Sequence, residues 1–265
     1  MMDTLSAGPP AGVRRLIASY TTRLMLAASF LTILPLGPRT PASQDDLAAS
    51  FGLFPLVGFM IGAVLSAADW MLALLFGATL RSGLVILTLV IITGALHLDA
   101  LADTADALAA GGNRSRALEI LRDSSVGVFG TVAVLFWLGL EWAALAQLEG
   151  SARTIALYVA PGAGRWAMVA VAAGLDYLRP AGAGSFLKPQ WSWPNLKIAS
   201  AIAVIAIIPV FSPQARAAAA AAILAALAAR WFYRRWLGGV TGDLIGAAGA
   251  VAELAAMIAM TSRFL

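Results

Sequence analysis

Along most of this chain, apolar stretches long enough to cross a bilayer follow one another with only short polar breaks. They fall at about 52–76, 82–98, 126–147, 154–174, 196–211, 217–233 and 240–262, with Gly, Pro or charged residues at most of the breaks. A spanning helix needs roughly 20 mainly apolar residues. Apolar residues make up 60% of the 265 positions and charged residues 12%, against about 25% charged in an ordinary soluble domain. The expected fold is all-α: a polytopic helical membrane protein of about seven spans, one domain over residues 1–265.

The segment from Val13 to Leu34 fits this pattern poorly. It carries Arg14, Arg15 and Arg23 and stops at Pro35, Pro38 and Pro41. Within the N-terminal segment 1–50 we expect an interfacial or re-entrant helix. Arg23 inside the apolar stretch, with Pro35 where a small-residue cleavage site would fall, argues against a cleaved signal.

The chain has no cysteine and one histidine, which excludes disulfides, thiolate metal sites, iron–sulfur clusters and cysteine nucleophiles. The net charge of +4 comes from basic residues scattered between apolar segments, not from a run suited to nucleic acid. They read as topology determinants. With the two longer polar inserts, 99–125 and 176–195, on the cytoplasmic side of an inner membrane, Arg39, Arg114, Arg116, Arg122, Arg179, Lys188, Arg234 and Arg235 lie inside. Arg81, Arg153, Arg216 and Arg263 are then left outside, the bias expected of cytoplasmic loops. The Ala- and Leu-rich run 217–229 reads as a packing element. Gly58/Gly62 and Gly242/Gly246 have the small-residue spacing that lets membrane helices approach closely.

Chemistry is expected where acids gather. At 100° per residue, Asp103 lies about 40° from Asp99 and Asp106 about 20° to the other side, so the three form one stripe. Such carboxylates repel each other, and a divalent metal would relieve them. All-oxygen donors favour Mg²⁺, Mn²⁺ or Ca²⁺, with Mg²⁺ the default where phosphate chemistry is involved; pairing with Arg114, Arg116 or Arg122 is the competing reading.

The following block, Leu118 to Gly127, adds Asp123 as a fourth metal ligand and Arg122 for a phosphate. Ser124 either contacts phosphate or caps the next helix, and Glu119 either joins Asp123 or pairs with Arg116. His97 falls about 160° from Asp99 and so stands apart from the metal, as a substrate contact or a structural group. Arg165 and Asp243 sit within or at the start of apolar spans, where charge marks function or an ion pair.

The blocks His97–Asp106 and Leu118–Gly127 resemble the central motifs of the cobalamin synthase (adenosylcobinamide-GDP ribazoletransferase) family. The resemblance extends to Phe30–Pro38, Phe54–Gly58, the Gly182–Phe186 turn and Leu237–Asp243. It implies attack by the ribose 3′-hydroxyl of α-ribazole, or of its 5′-phosphate, on the corrinoid-proximal phosphorus of adenosylcobinamide-GDP, releasing GMP. Asp99, Asp103, Asp106 and Asp123 would be the catalytic and metal-holding carboxylates, with His97, Arg122, Ser124, Arg165 and Asp243 toward substrate. The bilayer is the other expected partner, and a homo-oligomer stays open. Two other readings are a CDP-alcohol phosphatidyltransferase, whose full aspartate pattern is missing, and a cation-coupled secondary transporter, whose repeats are not evident.

Overall fold

A computed structural model describes residues 11–38, 42–123, 125–179, 187 and 189–262. Its described elements are helical: α1 (Ala11–Leu31), α2 (Gln44–Ser50), a 3₁₀ turn (Phe51–Leu53), α3 (Phe54–Leu72), α4 (Ala78–Thr93) and α5 (Leu96–Leu108). After them come α6 (Arg114–Ile120), α7 (Val128–Gln147), α8 (Gly150–Ala172), α9 (Pro189–Ile207), α10 (Pro213–Trp236) and α11 (Gly242–Ala259). Among the described residues, six helical segments are long and apolar enough to cross a membrane, seven if α4 and α5 are taken together. Helices suit this role because each satisfies its own backbone hydrogen bonds where no water can.

The stretch expected as one helix over 82–98 is broken. Gly94 takes a left-handed conformation (φ 58°), Ala95 N–H returns to the Val90 carbonyl, and α4 ends at Thr93. Ala95 is also left-handed (φ 58°), and the chain restarts as α5 at 88° to α4. The acidic stripe therefore rides on a separate helix that lies across the end of the bundle. The second polar insert is shorter than expected, because helix resumes at Pro189. Before it, Tyr177 bridges Val240, with Leu178 N–H donating to the Val240 carbonyl and Val240 N–H to that of Asp176.

Helix α8 is the core of the bundle, packed by α3, α9, α10 and α11. Close approach depends on glycine: a Cβ on Gly58 would sit 2.5 Å from the Pro161 carbonyl oxygen, and one on Gly62 2.5 Å from that of Tyr158. The second glycine pair divides. Gly246 meets Ala100 of α5 at 2.6 Å by the same measure, whereas Gly242 has no atom nearer than 3.8 Å.

One end of the bundle is pinned by Arg153, buried in the first turn of α8. It binds Asp69 of α3 (2.6–3.0 Å), the Ser82 hydroxyl of α4 (3.0 Å) and the Leu145 carbonyl of α7 (2.6 Å). Arg81 reaches the same Asp69 at 3.3 Å. Arg153 and Arg81, read as loop charges, are thus partners of a buried carboxylate. At the opposite end lie α5, α6, the start of α7, the end of α8 and the start of α11. There Arg230 of α10 closes the last turn of α8 through the Val171 and Ala173 carbonyls. Near the N-terminus, Arg23 of α1 binds Asp46 of α2 at 2.9 Å, and Phe30 packs on Phe54.

Candidate active site

Helix α5 is amphipathic across the bundle end. Leu98, Ala100, Ala102, Thr104 and Ala107 are buried, leaving Asp99, Asp103 and Asp106 on the other side. Gly246 supplies the gap that lets Ala100 seat against α11, which brings Asp243, in the first turn of α11, toward the stripe. Burial, then repulsion from Asp99 and Asp243, pushes the Asp103 carboxyl up to about 6 from 3.8. Arg179 opposes this and binds Asp243 at 2.6 Å through Nη2, which also donates to the Leu121 carbonyl. Thus one guanidinium ties the end of α6 to the start of α11 beside three acids.

Asp106 has another task. Its Oδ2 accepts Gly127 N–H at 2.7 Å and its Oδ1 accepts Gly130 N–H at 2.9 Å. Gly127, at the N-cap position of α7, has no side chain to do this. Asp106 supplies the cap from α5, and its negative charge suits the helix N-terminus. A Cβ on either glycine would lie within 2.5 Å of this carboxylate and displace it from its two donors, and one on Gly130 would also meet the Ala102 carbonyl oxygen at 2.9 Å.

Asp123 is exposed and accepts Ser125 N–H at 3.0 Å. Hydrogen bonding to Ser125 holds its carboxyl below the usual range. Arg122 beside it is exposed and makes no ion pair with any described residue, leaving its guanidinium available. Glu119 pairs with Arg116 at 2.8 Å, the local alternative weighed from the sequence. Ser124 and the Gly182–Phe186 turn lie outside the described residues.

Two expected substrate contacts face inward. His97 is buried, with Nε2 3.3 Å from the Met168 sulfur, so it packs α5 onto α8. Arg165 is buried and paired with Glu253 of α11, the structural role that competed with phosphate binding. Glu253 is not legible as a site residue from the chain alone, because a lone acid in an apolar run carries no motif. Arg179 carries one local signal beyond topology, its place in a polar insert.

The four-carboxylate metal set is not gathered around one point. Among the described residues no three carboxylates or histidines converge as a protein cage; Asp106 caps α7, and Asp123 sits in a separate turn. What remains still suits a hard cation: Asp99 and Asp103 one turn apart, all-oxygen and mutually repelling, with Asp243 near. Mg²⁺ is commonly held by one or two carboxylates plus substrate phosphates, and this pair fits that mode.

Fold and site together define a polytopic helical membrane protein with its acidic face collected at one end, where Arg122 is unpaired among the described residues. The family model for cobalamin-5-phosphate synthase matches residues 23–261, and the chain belongs to that family. It is 35% identical over 239 residues to the adenosylcobinamide-GDP ribazoletransferase of Roseiflexus sp. (strain RS-1), covering 89% of this chain and 87% of the relative. It is 33% identical over 243 residues to the protein of that name from Geotalea daltonii, covering 90% and 98%. No solved structure matches.

Proposed function

We propose that this protein is an adenosylcobinamide-GDP ribazoletransferase. The ribose hydroxyl of α-ribazole, or of its 5′-phosphate, forms a new P–O bond at the corrinoid-proximal phosphorus. The bond to GMP breaks, the hydroxyl loses its proton, and a cobamide or its 5′-phosphate is released with GMP. The observation that carries this reading is the Asp99–Asp103–Asp243 face with Arg179 inside it; Arg179 also binds the carbonyl of Leu121, next in sequence to Arg122, which makes no ion pair among the described residues. Family membership supports it.

Asp99 and Asp103 would hold Mg²⁺, whose charge offsets that of the diphosphate when bound. Arg122 forks onto phosphate oxygens. Arg179 fixes Asp243 and the end of α6 in register, so the reacting groups meet a preset surface. Asp106 holds the start of α7 against the stripe, and the turn carrying Arg122 and Asp123 leads into it. The site end faces the cytoplasm across an inner membrane, which accords with Arg114, Arg116, Arg122, Arg179, Arg234 and Arg235 lying at that end.

GMP release from adenosylcobinamide-GDP plus α-ribazole, by detergent-purified protein with Mg²⁺ or with excess EDTA, tests the reading. Metal-dependent release that Asp103→Asn abolishes supports it. Release of CMP from a CDP-alcohol, or no release with any metal, overturns it.

A further inference from the structure

In the middle of the bundle, α3, α4, α7, α8 and α11 line a small, partly open cavity with room for about one water-sized body. Two of its lining residues are acids, Glu141 of α7 and Glu253 of α11; the others are apolar or proline. Glu141 is 2% exposed, and neither carboxylate oxygen has a hydrogen-bond partner. Glu253, 3% exposed, is bonded to Arg165, whose Nε is itself unpartnered.

Two carboxylates and one guanidinium leave one negative charge uncompensated. The neighbouring elements do not supply the missing cation. Helices α3 and α4 line the cavity with apolar side chains only, α8 offers Arg165, already bound to Glu253, and α5 brings His97 toward Arg165. Arg153, beyond Leu145, is committed to Asp69. An unpaired carboxylate in an apolar interior costs several kcal/mol, so a well-packed bundle that keeps one needs a counter-charge.

We propose that this cavity binds one exchangeable monovalent cation, a sodium ion or a proton, between Glu141 and Glu253. Either supplies the one positive charge that the pair lacks: the proton as an O–H bond on a single carboxylate, sodium by coordination to oxygens of both acids lining the water-sized space. The site is separate from the acidic face of α5 and does not depend on the transfer reaction.

The test uses the full chain purified in detergent. Thermal unfolding is followed in sodium chloride and in choline chloride at equal ionic strength and pH, for wild type, Glu141→Gln and Glu253→Gln. Infrared spectra at neutral pH are compared between wild type and Glu141→Gln. Bound sodium raises the wild-type Tm, by roughly 3–6 °C at a tenfold excess over its Kd, and Glu141→Gln loses that response. A bound proton leaves Tm indifferent to sodium, lets Glu141→Gln keep the wild-type Tm, and gives a protonated-carboxyl stretch that this variant lacks. Glu253→Gln lowers Tm in either case by leaving Arg165 buried and unpaired. Should Glu141→Gln fail to fold, Glu141→Asp is read in its place, the stretch shifting rather than vanishing. A Tm indifferent to sodium, with no protonated-carboxyl signal tied to residue 141, overturns the proposal.

Discussion

Asp103 has the most perturbed carboxyl of the acidic face, and its environment sets two expectations. Its folded value of about 6 lies above the ordinary 3.8, so the folded chain holds the proton more tightly than the unfolded one. Metal-free protein should therefore lose stability as pH rises from about 4 to about 6, with no further loss from this group above that. Asp103→Asn should flatten this part of the Tm-versus-pH profile. The same substitution should lower kcat for GMP release by roughly 100-fold or more, the scale of losing an electrostatic contact made to the reacting group. Asp106 is expected to behave differently, because its oxygens are engaged by two backbone donors. Asp106→Ala should cost roughly 1–2 kcal/mol of stability, as a lost N-cap does. A fall in activity at unchanged Tm would show that Asp106 acts on substrate or metal and not as a cap.

The break between α4 and α5 decides what the acidic stripe can reach. Ala95 is the one described non-glycine residue with positive φ, a conformation that costs a residue with a Cβ about 1 kcal/mol or more. Ala95→Gly should raise stability by up to about 1 kcal/mol in chemical unfolding. Gly94→Ala should lower it, since the new Cβ would be strained and 2.9 Å from Ile33. The contact between α3 and α8 admits no such exchange. Gly58→Ala and Gly62→Ala each press a methyl against the α8 backbone, and each should cost roughly 1–3 kcal/mol, read as a lower Tm in detergent.

At the scale of the whole molecule, the two ends of the bundle differ in kind. One is closed by the buried Asp69–Arg153 pair; Asp69→Asn should lower stability by roughly 3–5 kcal/mol by stranding the arginine. The other carries the chemistry, and the absence of native cysteine makes its sidedness directly measurable. Single cysteines at Asn113 and Gly238 should label from one side of the membrane, and those at Gly77 and Ser212 from the other. The same side for all four would mean a different threading of the spans. The amino-acid order carried the helical membrane class, most of the spans and the common face of Asp99, Asp103 and Asp106, because apolar length and helical period are local properties. It also carried the family motifs. Helix packing alone turned the stripe across the bundle end, since apolar residues continue on both sides of Thr93-Gly94 and a single internal glycine does not by itself announce a left-handed turn. It likewise placed Asp243 and Arg179 beside Asp103, assigned Asp106 to α7 and took Arg165 into the core with Glu253. Those pairings join residues dozens of positions apart, and which acid meets which base is settled by how helices pack, not by spacing along the chain.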